Sequence, residues 1–96
     1  MPLENTEELA QNKLLLLYII KFSNHPFTNN ELTEFVLKKN YMNYFFIQQY
    51  LSELMDSNFI GKVNDDSKEV YKLLEKVEVV LSYFEDRIPN SIKEEL

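Results

Sequence analysis

Residues 14–20 read LLLLYII, and they fall in the second half of a segment that otherwise looks helical. A helix that is apolar around most of its circumference has no face to give to water, so it must be covered on more than one side. The run is far short of the roughly 20 residues that cross a bilayer, which leaves the interior of a small domain as its destination. The other segments should therefore pack around this helix.

The flanking residues mark where those segments begin and end. Asn5 or Thr6 can cap the first helix, Glu7 and Glu8 suit its first turn, and the Ser23–Pro26 stretch SNHP breaks it after about Phe22. Thr28–Glu31, TNNE, has the form of a capping box, with Phe27 and Leu32 placed as its hydrophobic staple. The second helix turns Leu32, Phe35 and Val36 inward and ends near Lys38 and Lys39. Asn43 caps a third helix that runs to about Ser57, with Met42 and Ile47 as staple. Phe59–Val63 and Val70–Leu74 have strand composition, and Asn64–Glu69, NDDSKE, is turn chemistry, so a β-hairpin is expected. A fourth helix covers about Glu75 to Arg87 and stops at Pro89.

The resulting order is helix, helix, short turn, helix, hairpin, helix. This predicts an α+β, mainly α, winged helix-turn-helix domain over residues 1–90, and Pro26–Thr28 offers a third strand. The alternative is a helical bundle with an irregular loop. It is disfavoured because Phe59–Leu74 lacks a helical period. Ser91–Glu94, SIKE, is a further capping box, and residues 91–96 are expected to open another helix that continues in the natural chain.

Four stretches carry a resemblance: NKLLLLYII (12–20), NNELTEFVL (29–37), MNYFFIQQYLSELMDSNFI (42–60) and YFEDRIPNSIKEEL (83–96). They resemble a family of uncharacterised bacterial proteins from clostridia and their relatives, classed as a domain of unknown function with a winged-helix N-terminal part. The resemblance implies the winged-helix fold, a second region beyond this point and a transcription-regulator label, with no demonstrated activity. More distantly, YKLLEKV (71–77) is similar to the strand-to-helix junction of bacterial winged-helix regulators. Those have a Thr cap and a Gly three residues later, where Leu74 and Val77 stand here.

The third helix is where such a domain would read DNA, yet NYFFIQQYLSELM (43–55) contains no Lys or Arg. Placing Ile47 at the centre of the buried side and advancing about 100° per residue puts Leu51, Leu54, Tyr44 and Met55 inward, with Tyr50 at the edge. Phe45, Gln49, Ser52 and Asp56 then face outward, flanked by Gln48, Glu53 and Phe46. Phe45, Gln48, Gln49 and Ser52 are the candidate base-facing residues. Gln can bond bidentately to adenine, Ser can bond several base edges, and an apolar group can touch the thymine methyl. Lys38, Lys39, Asn40, Tyr41 and Asn43, with Lys62, Lys68 and Lys72 on the hairpin, are the candidate phosphate contacts.

The charge balance weighs against this reading. The formal net charge is −6, and phosphate contacts supply much of DNA affinity. The acidity sits at the ends: residues 38–72 hold five lysines and five acids. Asp65 and Asp66 would repel phosphate at a wing tip. Adjacent Phe45 and Phe46 at a helix start favour the rival reading, a protein-interaction module on the same scaffold. Self-association is suggested by Leu15, Tyr18 and Ile19 on the first helix and by the stripe Val77, Leu81, Phe84 and Ile88. Ordinary packing on the domain's own core explains that stripe equally well.

The remaining chemistry is sparse. There is no cysteine, and His25 is the single histidine, so neither a metal site nor a thiol nucleophile is expected. The one glycine, Gly61, lies in a strand rather than a phosphate-cradling loop. Ser57, Ser67 and Ser82 have no His and acid constellation beside them. No cofactor and no enzymatic activity are expected. Double-stranded DNA, a second copy and a protein are the candidate partners. The acidic, polar N-terminus is unlike a secretory signal, which points to the cytoplasm.

Overall fold

The computed structural model of the protein describes residues 6–23 and 25–84. Its elements follow the expected order: α1 (Thr6–Phe22), α2 (Asn29–Lys38), α3 (Tyr44–Asp56), β1 (Ile60–Asp65), β2 (Lys68–Leu73) and α4 (Glu75–Phe84). This is an α+β, mainly helical, winged-helix-like arrangement. The proposed Asn5 cap, residues 85–87 of the fourth helix, Ile88, Pro89 and the Ser91–Glu94 box lie outside the described residues.

α1 is the centre of the domain. All six residues from Leu14 to Ile19 are buried, a span that covers more than one full turn. β2, α3 and α4 all contact α1. No helix among the described residues is long and apolar enough to cross a membrane.

Local chemistry sets the helix ends. At α2 the Thr28 hydroxyl accepts from the Glu31 N–H (3.2 Å), and the Glu31 carboxylate accepts from the Thr28 N–H (2.9 Å). Phe27 is half-buried against the core that holds Leu32. At α3 the Asn43 side chain accepts from the Phe46 N–H (2.9 Å). Both helices end alike. Asn40 N–H donates to Leu37 O and Tyr41 N–H to Val36 O after α2; Asn58 N–H donates to Met55 O and Phe59 N–H to Leu54 O after α3. Asn40 (φ 58°) and Asn58 (φ 61°) are left-handed, so each helix closes with a Schellman motif that uses Asn where Gly is commoner.

The hairpin is longer and its turn tighter than its composition indicates. The strands extend through Asp65 and resume at Lys68, which pair with each other. The expected six-residue turn shrinks to Asp66 (φ 55°) and Ser67 (φ 71°). Two central residues at positive φ form the type I′ pattern that matches the twist of a hairpin. The expected third strand is reduced to one bond, Tyr71 N–H to Phe27 O (2.9 Å), and the sheet has two strands.

Several assignments change once α3 is packed. Tyr50, expected at the edge, is fully buried, and its hydroxyl has no hydrogen-bond partner among the described residues. Tyr44 and Met55, expected inward, are exposed. They are the first and the penultimate residues of the helix, where the neighbouring elements no longer cover it. Phe46 is half-buried and stacks on Tyr50 with ring centroids 5.7 Å apart.

The residues assigned to a dimer interface are corrected in the same way. Leu15, Tyr18, Ile19, Val77 and Leu81 are buried in the domain's own core, where α1 contacts both α4 and α3. Phe84 is partly exposed. The other exposed apolar residues of α4 are Val79 and Tyr83, which stand on the side away from Val77 and Leu81.

The turn supplies a direct test. Left-handed backbone is strained for Ser and mildly so for Asp, whereas Asn-Gly suits a type I′ turn. The variant Asp66→Asn/Ser67→Gly is expected to gain about 1 kcal/mol, read as a rise in Tm of about 4–8 °C for a domain of this size. An unchanged or lower Tm would show that the turn is not strained.

Candidate nucleic-acid interface

The exposed side of α3 is narrower than its sequence indicates. Phe45, Gln49 and Ser52 are exposed, as is Asp56. Gln49 Nε2 donates to Glu53 Oε2 (3.2 Å). Glu53 in turn meets Lys13 of α1 (Nζ to Oε1, 2.6 Å). The Lys13 ammonium, and then the Gln49 amide, hold the Glu53 carboxyl below its usual value. One of the acids of α3 is thus paired within the domain.

Gln48 is drawn inward. Its Oε1 accepts from Asn29 Nδ2 (2.9 Å), and its Nε2 donates to the Thr33 hydroxyl (2.8 Å). Asn29 Nδ2 also donates to the Tyr71 hydroxyl (2.8 Å). These four side chains join α2, α3 and β2, and the bonds engage both ends of the Gln48 amide. Gln48 is therefore removed from the candidate base-facing set. The circuit was missed from sequence, although Thr33 offered a signal. It is a polar residue on the buried face of α2 between Leu32 and Val36, and a buried hydroxyl needs a partner.

The candidate phosphate contacts divide as well. Lys38 and Lys39, at the end of α2, are exposed. Asn43 is occupied as the cap of α3, and Asn40 holds the left-handed position after α2. Tyr41 is half-buried against the core, with its ring 6.4 Å from that of Phe35. These three have structural roles that explain their identities without DNA.

The hairpin lysines stand on opposite faces. Side chains alternate along a strand, and directly paired residues share a face. The register pairs Lys62 with Tyr71, Asp65 with Lys68, and Gly61 with Lys72. Lys62 therefore lies on the Tyr71 face, turned toward α2 and α3, with its ammonium 5.6 Å from the Tyr71 ring centroid. Lys68 and Lys72 lie on the other face. No single phosphate can be met by all three.

On the Lys68 and Lys72 face an open groove of about 570 Å³ runs between the hairpin, the end of α1 and α4. Lys21, His25 and Lys72 line it together with Asp65 and Glu78, so its charges are mixed. A smaller apolar groove of about 250 Å³ lies between α1 and α4, over Leu14, Leu17, Phe59 and Val80. Among the described residues no group of acids and histidines is placed to hold a metal ion.

Three helices, a hairpin packed beside the third helix and a closing helix define a winged-helix-like domain whose exposed face on α3 carries no cation. The chain belongs to the DUF4364 family, a domain of unknown function, whose family model matches residues 12–96. No curated protein and no solved structure matches the chain.

The two glutamines of α3 can be told apart by stability. Gln48→Ala removes its bonds to Asn29 and to Thr33, each worth roughly 0.5–1.5 kcal/mol, and is expected to cost about 1–3 kcal/mol. Gln49→Ala, on the exposed side, should change stability by less than about 0.5 kcal/mol. Equal effects in denaturant unfolding would contradict the placement of Gln48.

Proposed function

We propose that this domain binds double-stranded DNA as part of a transcriptional regulator, with α3 in the major groove. The observation that carries the reading is the unobstructed outward side of α3. Phe45, Gln49 and Ser52 are exposed there and not covered by the rest of the domain. Gln49 and Ser52 supply donors and acceptors for base edges, and Phe45 an apolar surface for a thymine methyl. The exposed Lys38 and Lys39 lie just before α3 in the chain, and Lys62 lies on the hairpin face turned toward α3.

The second reading is a protein-interaction module. Tyr44 and Phe45 are adjacent aromatics, 60% and 73% exposed, and the chain carries a net charge of −6. Large exposed aromatics beside one another suit a protein contact, and net negative charge opposes approach to DNA.

Salt dependence separates the two. Each phosphate contact contributes roughly −0.9 to the slope of log K against log salt on B-DNA. With Lys38, Lys39 and Lys62 as the contacts, a random duplex pool followed by fluorescence anisotropy should give a slope of about −3. Gln49→Ala and Ser52→Ala should relax sequence preference, while Lys38→Ala and Lys39→Ala weaken all sequences alike. Binding that is absent at low salt, or insensitive to salt, leaves the protein-interaction reading in its place.

A further inference from the structure

A two-stranded hairpin is marginal alone and has no neighbouring strand to fix its tilt. Here its exposed end, residues 62–69, extends beyond Ile60 and Val70, the last buried residues of its two strands. Apolar contact at the base holds the hairpin in place but constrains its direction weakly. Directional hydrogen bonds are better suited to that task.

Tyr71 is where such bonds converge. Its N–H donates to Phe27 O (2.9 Å). Its hydroxyl accepts from Asn29 Nδ2 (2.8 Å), and the same nitrogen donates to Gln48 Oε1 on α3 (2.9 Å). The two protons of the Asn29 amide thus serve the hairpin and α3 at once. The Tyr71 ring carries Lys62 at 5.6 Å, and Lys62 Nζ also lies 3.9 Å from Glu69 Oε1. One continuous relay runs from α3 through Asn29 and Tyr71 to the lysine of the wing.

We propose that Asn29 and Tyr71 are positioning residues that fix the direction of the wing relative to α3, so that Lys62 is held on the same side as Gln49 and Ser52. The joint itself stands on the hydrogen bonds; its use in setting Lys62 for a phosphate rests on the DNA-binding reading.

The chain has no cysteine, so Ser52→Cys and Asn64→Cys can carry a single pair of spin labels in the full chain. The distance distribution between them reports the angle of the wing to α3 without any ligand. It should be narrow in the parent and broadened in both Asn29→Ala and Tyr71→Phe. Tyr71→Phe keeps the ring under Lys62 and loses only the hydroxyl, so it decides the matter if Asn29→Ala folds poorly. An unchanged distribution in Tyr71→Phe overturns the joint.

A second arm, on unlabelled protein, follows duplex affinity. Tyr71→Phe and Lys62→Ala should each reduce the salt slope by about one, and the double variant by no more than either. Additive losses overturn the coupling to Lys62. Absence of duplex binding in the parent removes the DNA reading, while the distance measurement still decides the joint.

Discussion

The structure depends on the burial of one helical segment. Leu14 to Ile19 are consecutive, and all are buried. Consecutive residues point in every direction around a helix, so no single neighbour can cover them. β2, α3 and α4 close around α1 because each covers a different part of it. Truncating one such buried leucine costs about 2–5 kcal/mol, against a stability on the order of 5–15 kcal/mol for an entire domain of this kind. Side chains of that weight cannot also serve a separable interface. The same reasoning returns Val77 and Leu81 to the core and leaves Val79 and Tyr83 as the outward side of α4.

With α1 as the hub, α3 has two distinct sides. Ile47, Tyr50, Leu51 and Leu54 anchor it. Gln48, near the margin, bonds Asn29 and Thr33. Phe45, Gln49 and Ser52 remain outside. The outward side carries no cation, so any phosphate affinity must come from Lys38, Lys39 and the hairpin. Because strand alternation places Lys62 apart from Lys68 and Lys72, the wing adds one cation to the α3 side rather than three.

Much of this was legible in the chain. Thr28 with Glu31 marks the start of α2, Asn43 marks the start of α3, and the polar cluster at 64–69 separates two strand-like runs. These are local signals, readable within a few residues. The length of the turn was not legible, because Asp66 and Ser67 adopt positive φ without the glycine that advertises it. The inward turn of Gln48 was hidden for a different reason. Its partners are 15 and 19 residues away in sequence, and a helical wheel contains no information about them. Tyr44 and Met55 were misplaced because a wheel treats the ends of a helix like its middle. Val77 and Leu81 share one buried side of α4, as their spacing indicates, but periodicity does not say whether a stripe meets the same chain or another.

On the proposed function, α3 offers Phe45, Gln49 and Ser52 to a partner while Gln48 is bonded into the interior. An amide chemical-shift titration of the labelled domain with a duplex pool at low salt tests it most directly. Shifts are expected to concentrate at residues 45, 49 and 52, at Lys38 and Lys39 and at Lys62, with α4 and the Lys68 and Lys72 face unmoved. Shifts centred on Val79 and Tyr83, or on the groove between the hairpin and α4, would contradict it.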